Sequence, residues 1–282
     1  MKLTDENYYS LESNKEYCSV SQFKSFYGLN GCEARAMAEI RGEYTRPKTD
    51  ALLVGSYVDC ALTEPENLEW FKVQHPEMIS SRGATKGLLK SEFLRADEMI
   101  ARVKQDKYFM SAISGEHQKI MTGNLFGVDF KIKMDSYIPK SDTTNGAIVD
   151  LKTVESLRKG YWSPTEKRYV SFVDYFDYIL QGAIYQEIVF QNTGNRLPFY
   201  LACVSKEANP DIELIWIDDS TLHDRLFGNE FSAGIAEQVN QIRLLKSGEV
   251  EPIECGKCDF CIPHKVIKKP IHYLELMGEV EK

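Results

Sequence analysis

Residues 131–153 read KIKMDSYIPKSDTTNGAIVDLKT, and the fold turns on how this stretch is read. It opens as an alternating segment ending at Asp135, passes through a polar turn region, and closes on an apolar run that carries Asp150, Leu151 and Lys152. In an extended chain residues two apart share a face, so Asp150 and Lys152 point the same way while Leu151 points into the core. Asp135, at the end of the preceding strand, then meets Asp150 across the pair. Two carboxylates offer the hard oxygen donors that Mg²⁺ or Mn²⁺ prefers, and the lysine sets a compact cation beside them. Such groups suit the hydrolysis of a phosphodiester.

Working outward, GEHQKIMTG and LFGVDFKIKMDSYI precede AIVDLKT as β-rich runs parted by Gly, Asn, Ser and Thr. This predicts three consecutive antiparallel strands. Glu116 leads the first, and with the strands adjacent Glu116, Asp135, Asp150 and Lys152 converge at one edge of the sheet. After a loop holding Trp162 and Pro164, YVSFVDYFDYILQGAIYQEIVFQNTG keeps a helical period through Phe172, Phe176, Ile179, Ile184 and Ile188 to Gly194. Gln181 and Tyr185 stand at i and i+4 of this helix and share a face. PFYLACVSK and IELIWID add two strands, the first apolar enough to be covered on both sides. A final long helix is predicted over 218–246. The order strand, strand, strand, helix, strand, strand, helix defines a mixed α/β class, a central sheet flanked by helices.

Upstream, residues 17–44 read as two short helices with Ser19 and Ser21 as caps and Cys32 at the joint. DALLVGSYVDCALT, residues 50–63, spaces Leu52, Val54, Val58, Ala61 and Leu62 as on a largely buried helix. Asp59 sits among them, and a carboxylate in such company is paired, at the helix surface, or aimed at a metal. Residues 80–85 form a polar loop, and GLLKSEFLRADEMIARVKQDKYFMSAI is one long amphipathic helix with Arg95, Lys104 and Lys107 on a solvated face.

The composition narrows the classes. Hydrophobic residues make up 43% and charged residues 27%, and no apolar run is long enough to span a bilayer. The N-terminus MKLTDENYYS lacks a signal-peptide stretch, so a cytoplasmic protein is expected. The net charge of −8, from 34 basic and 42 acidic residues, excludes broad coating of DNA and leaves room for a local basic groove. No glycine-rich phosphate loop leads into a helix, which excludes a kinase or dinucleotide enzyme. The length suits a single domain over 1–282, mainly helical over 1–110, with the sheet and its helices over 111–247 and a Cys-rich extension over 248–282.

Seven cysteines without a secretion signal argue against a disulfide framework. Three of them stand in IECGKCDFCIPHK as Cys255, Cys258 and Cys261, a C-x2-C-x2-C spacing able to hold one metal or cluster. Cys32 is the leading fourth ligand, with Cys18, His264 and Cys60 behind it. Cys203, on the apolar strand, reads as core.

The whole set resembles the PD-(D/E)xK nuclease superfamily: Glu116, then Asp135, then Asp150-Leu151-Lys152, then Gln181 and Tyr185 as Q-x3-Y. IVDLKT after MDSYIP, with GSYVDCALTEPE upstream and CGKCDFC downstream, is similar to phage and prophage exonucleases of the exodeoxyribonuclease VIII (RecE-like) group, over roughly residues 20–265. The resemblance implies a restriction-endonuclease-like core and a Mg²⁺- or Mn²⁺-dependent exonuclease acting 5′ to 3′ on linear DNA. Asp135 and Asp150 would be metal ligands, Glu116 a further acid, Lys152 the catalytic lysine, and Gln181 and Tyr185 contacts to the DNA. A departure is Asp59, which stands where relatives carry a metal-binding histidine; the alternative it raises is an inactive DNA-binding protein of the same fold. Cys32 with Cys255, Cys258 and Cys261 resembles the four-cysteine iron-sulfur site of AddB-type nucleases, which implies a [4Fe-4S] cluster first and a structural Zn²⁺ second. A single-strand annealing protein, a homo-oligomer and a phage or prophage origin are implied in the same way, and no membrane partner is expected.

Overall fold

Several helices start in this chain where a short polar side chain can take up a free backbone N–H. Ser10 caps α1 (Leu11–Glu16) and Ser19 caps α2 (Val20–Tyr27), accepting from the amides of Ser13 and Gln22. Then follow α3 (Glu33–Arg41), with Cys32 at its N-cap, α4 (Asp50–Thr63), α5 (Leu68–Gln74), α6 (Ser91–Gln105) and α7 (Lys107–Ala112). The last two replace the single helix expected over 87–113. Asp106 leaves helical geometry between them and caps α7 by accepting from Phe109 N at 2.9 Å. This computed structural model describes residues 1–273 apart from 48 and 268; residues 274–282, the end of the Cys-rich extension, lie outside the described residues.

The sheet begins with β1 (Glu116–Leu125), β2 (Val128–Ile138) and β3 (Ala147–Val154), paired antiparallel in sequence order as expected. The stretch around Trp162, expected as loop, is a small hairpin of β4 (Tyr161–Ser163) and β5 (Arg168–Val170). Its three-residue strands are too short to show a period of two. Next come α8 (Phe172–Tyr175) and α9 (Tyr178–Thr193), which divide the one helix expected there. Asp177 makes the break: its backbone takes a left-handed conformation, and its carboxylate both caps Leu180 N and receives Arg225.

β6 (Phe199–Ser205) lies parallel to β3 and β7 (Ile212–Ile217) antiparallel to β6, giving a mixed sheet of order β1-β2-β3-β6-β7. The helix expected over 218–246 is also two, α10 (Asp219–Phe227) and α11 (Ala236–Ser247). Gly228 turns the chain with φ +84°, and a Cβ on Gly234 would stand 2.4 Å from the Leu226 carbonyl. The chain therefore doubles back on itself here.

Both faces of the sheet are covered. Val149, Leu151, Ala202 and Val204 pack against Val54 and Val58 of α4 and Phe93 and Met99 of α6. Ile148, Phe199 and Leu201 pack against Leu180, Ile184 and Ile188 of α9, with α2, α3, α10 and α11 completing that layer. Burial of such side chains contributes roughly 1.5–3 kcal/mol each, which pins the register of β3. Leu52, expected in the core, is 63% exposed on the outer side of α4. Among the described residues no helix is long and apolar enough to cross a membrane.

Candidate active site

On the α9 side of β3 the alternating positions are Ile148, Asp150, Lys152 and Val154. Ile148 and Val154 are core, so two charged groups interrupt an otherwise apolar row. The pairing of β2 with β3 runs Ile138↔Ala147, Tyr137↔Ile148, Ser136↔Val149 and then stops, one step before Asp135 would face Asp150. Where the ladder stops, the Asp135 carboxylate accepts from the Leu151 amide at 2.7 Å. A cleft of about 700 Å³ opens at this point, and Asp59, Asp135, Asp150, Lys152, Gln181 and Tyr185 all line it.

Each acid has its own support. Asp150 is 2% exposed; Gln181 Nε2 donates to its Oδ1 at 2.5 Å, and its Oδ2 lies against the Lys152 ammonium without accepting a well-directed hydrogen bond. Asp59, one face around from the apolar stripe of α4, accepts from Gln118 Nε2 at 3.2 Å. Burial, then Asp150, pushes the Asp59 carboxyl up to about 6. Burial, with Asp150 and Asp59 beside it, likewise raises Asp135 well above the usual carboxylate range. Burial works against the Lys152 ammonium, but Asp150 and Asp135 more than offset it and hold its pKa above the ordinary lysine value. Three carboxyls thus gather at one point of the cleft, with the Lys152 ammonium held against one of them. An all-oxygen donor set of three carboxyls converging on one cleft fits a hard divalent cation held by Asp59, Asp135 and Asp150.

Three expected participants stand differently. Glu116 does not reach the cleft: it is exposed, and its carboxylate pairs with Lys119 at 2.8 Å. From β1 it is Gln118, two residues on, that touches an acid of the cleft. Gln181 and Tyr185, expected to touch a DNA strand, bond the protein itself. Gln181 holds Asp150, and the Tyr185 hydroxyl donates to the Lys133 carbonyl at 3.0 Å. Both are also buried, which suits positioning groups.

Other groups at the cleft carry no mark in the sequence. Lys133 and Lys206 line it, as do Tyr9, Phe176 and Tyr178. Lys24 reaches an adjoining cavity that shares Lys133, Lys152 and Gln181 with the cleft. Burial lowers the Lys24 pKa to about 8, and its ammonium bonds the Phe176 carbonyl at 2.8 Å and sits over the Tyr178 ring. Only for Tyr178 does the helical period offer a signal that could have found it, since it stands three residues before Gln181 on the same helix. The lysines come from α2, β2 and the end of β6, and only the tertiary fold unites them.

The second cluster is at the other end of the chain. Cys32, Cys255, Cys258 and Cys261 bring their sulfurs within 4.8 Å of one another, with no disulfide. Cys18 and Cys203 are buried apart from the cluster, and the His264 ring bonds the Phe260 carbonyl. The amides of Lys257 and Cys258 donate to Cys255 Sγ, and despite some burial they bring its thiol down to about 6. Burial pushes Cys261 up to about 12. Four cysteine sulfurs grouped in this way form the donor set expected for a [4Fe-4S] cluster or a structural Zn²⁺.

A mixed sheet whose central parallel pair presents Asp150-Leu151-Lys152 beside a second strand's aspartate is the fold of PD-(D/E)xK nucleases. Residues 19–264 match the family described as a PDDEXK-like domain of unknown function (DUF3799), and the chain belongs to that family. It is similar, at 44% identity and a TM-score of 0.87, to a crystal structure from Eubacterium rectale provisionally named an exonuclease, over 99% of this chain and 100% of that one. A further solved structure, SSO0001, is 12% identical over 83% of this chain and 93% of its own, with a TM-score of 0.33. No curated protein matches the sequence.

Proposed function

We propose that this chain is a divalent-metal-dependent deoxyribonuclease that removes nucleotides from the ends of linear DNA, 5′ to 3′, as in phage-type recombination. The observation that carries the nuclease reading is the convergence of Asp59, Asp135 and Asp150 on one cleft, with Lys152 held against Asp150. Action at ends is supported by the provisional name of the Eubacterium rectale relative. The polarity, the recombination role and an annealing partner follow from the resemblance of the motifs to RecE-like exonucleases. Metal content, not fold, distinguishes Mg²⁺ from Mn²⁺ here.

Asp59, Asp135 and Asp150 would hold the cation, which when bound supplies polarisation of the scissile phosphate and a lower pKa for the attacking water. The protein's own groups do the rest. Lys152, kept charged by its two aspartates, faces the negative charge that builds on the phosphate as the water oxygen bonds to phosphorus and the ester oxygen leaves. Gln181 and the Leu151 amide keep Asp150 and Asp135 in place, so the acids need no reorganisation. Lys24, Lys133 and Lys206 attract backbone phosphates, and Tyr9, Phe176 and Tyr178 offer rings on which bases stack.

The test is digestion of end-labelled linear DNA with and without Mg²⁺ by wild type, Asp150→Asn and Lys152→Ala, each checked for its fold by circular dichroism. Loss of nucleotides from the ends in wild type alone is expected, with the label position reporting polarity. Full activity in either variant overturns the active-site assignment. Absence of cleavage with any divalent metal would leave the inactive DNA-binding reading.

A further inference from the structure

We infer that the four-cysteine site binds one tetrahedral ion, Zn²⁺, rather than the [4Fe-4S] cluster that the sequence motif suggests. The sulfur separations decide between them. Zinc–thiolate bonds of about 2.3 Å place the corners of a tetrahedron about 3.8 Å apart. Cys32 Sγ and Cys261 Sγ are 3.5 Å apart, Cys255 Sγ and Cys261 Sγ 3.9 Å, and all four lie within 4.8 Å of one another. In a cubane two diverging iron–thiolate bonds and an iron–iron edge lie between any two cysteine sulfurs and set them roughly 6 Å apart in a straight line. Cys32 is 3% and Cys261 0% exposed, so these two sulfurs sit in packed surroundings.

The backbone around Cys255 favours a thiolate there, and the ligand set makes a closed, structural site. Two amide N–H groups aim at Cys255 Sγ, each at 3.4 Å, an arrangement that suits an anionic metal ligand better than a neutral thiol. With four thiolates no position is left for water or substrate, as in structural zinc sites. The site joins residues 229 apart in sequence. It fastens the C-terminal segment to the start of α3, where the Ala34 amide also donates to the Ile253 carbonyl and the Ile253 amide to Glu33. Because α3 packs on α2, which brings Lys24 beside the acidic cleft, the ion would brace one wall of that cleft from outside. The assignment stands whether or not the cleft cleaves DNA.

The experiment is metal analysis of the full chain purified anaerobically, before and after incubation with ferrous iron and sulfide, followed by X-ray absorption at the metal edge. One zinc per chain is expected, with a single sulfur shell and no acid-labile sulfide even after that incubation. Exchange for Co²⁺ should yield the intense visible bands of tetrahedral thiolate coordination, and Cys258→Ser should lose most of the zinc. Four irons and four sulfides per chain with iron–iron scattering would overturn the inference. So would a chain that binds neither metal in stoichiometric amount.

Discussion

Asp59 stands where the resemblance to RecE-like exonucleases implies a metal-binding histidine, and the fold turns it into the cleft beside Asp135 and Asp150. Burial and Asp150 raise its carboxyl from the ordinary 3.8 to about 6, so between those values the folded chain holds a proton that the unfolded chain has released. The metal-free protein therefore loses stability as pH rises across this window, and the cost is complete above it. Asp59→Asn removes the cost: the Tm of chelated protein should rise by a few degrees near neutral pH, at roughly 2–4 °C per kcal/mol, and the gain should vanish below about pH 4. Added Mg²⁺ should narrow the gap by stabilising wild type more than the variant. Thermal unfolding with EDTA and with Mg²⁺ checks this, and a Tm gain independent of pH would sink it. At this scale Asp135, Asp150 and Lys152 were legible because a period of two states which side chains share a face. Glu116 was misplaced because its exposed position on β1 turns it to Lys119, whereas Gln118 meets Asp59.

The element that sets the cleft is α9, which carries Gln181, Tyr185 and the packing surface between them. Gly182 lies where α9 crosses β6 and α10: an added Cβ would stand 2.5 Å from Phe199 Cδ1 and 2.9 Å from Leu222 Cδ2. Gly182→Ala is expected to destabilise the chain by about 1–3 kcal/mol through overpacking, despite the better helix propensity of alanine. Thermal unfolding measures it, and an unchanged or raised Tm would show that α9 can shift without cost. Hydrophobic periodicity found each long helical segment and the five strands of the main sheet. It missed the breaks at Asp106, Asp177 and Gly228, because a cap or a turn interrupts the backbone for only a residue or two while the apolar period runs on. The β4–β5 hairpin went unread for lack of length.

Across the whole molecule the charge is −8, yet Lys24, Lys133, Lys152 and Lys206 gather at or beside the cleft. Among the described residues lining the cleft and its adjoining cavity, a DNA strand meets these four cations, since the Lys131 ammonium is taken up by Tyr8, Ser13 and Asn14, and Lys152 and Lys133 already face Asp150 and Asp5. Each neutralised phosphate contributes about −0.9 to the slope of log K against log salt, so duplex binding should show a slope no steeper than about −3.6. Fluorescence anisotropy with Asp150→Asn, which binds without cutting, measures it. A slope beyond about −6 would require a basic surface wider than this cleft.

The sequence alone determined the mixed α/β class, the strand order through the first three strands, the pairing of Asp150 with Lys152 on one face, and the run of Cys255, Cys258 and Cys261 as one ligand set. These follow from local rules, the period of two in strands and a tight run of ligand residues, that need no distant contact. The tertiary structure alone decided which acids share the cleft, that Gln181 and Tyr185 brace it, which lysines surround it, and how far apart the four sulfurs lie. Those depend on where strands part and helices cross, which is set by the packing of both faces of the sheet.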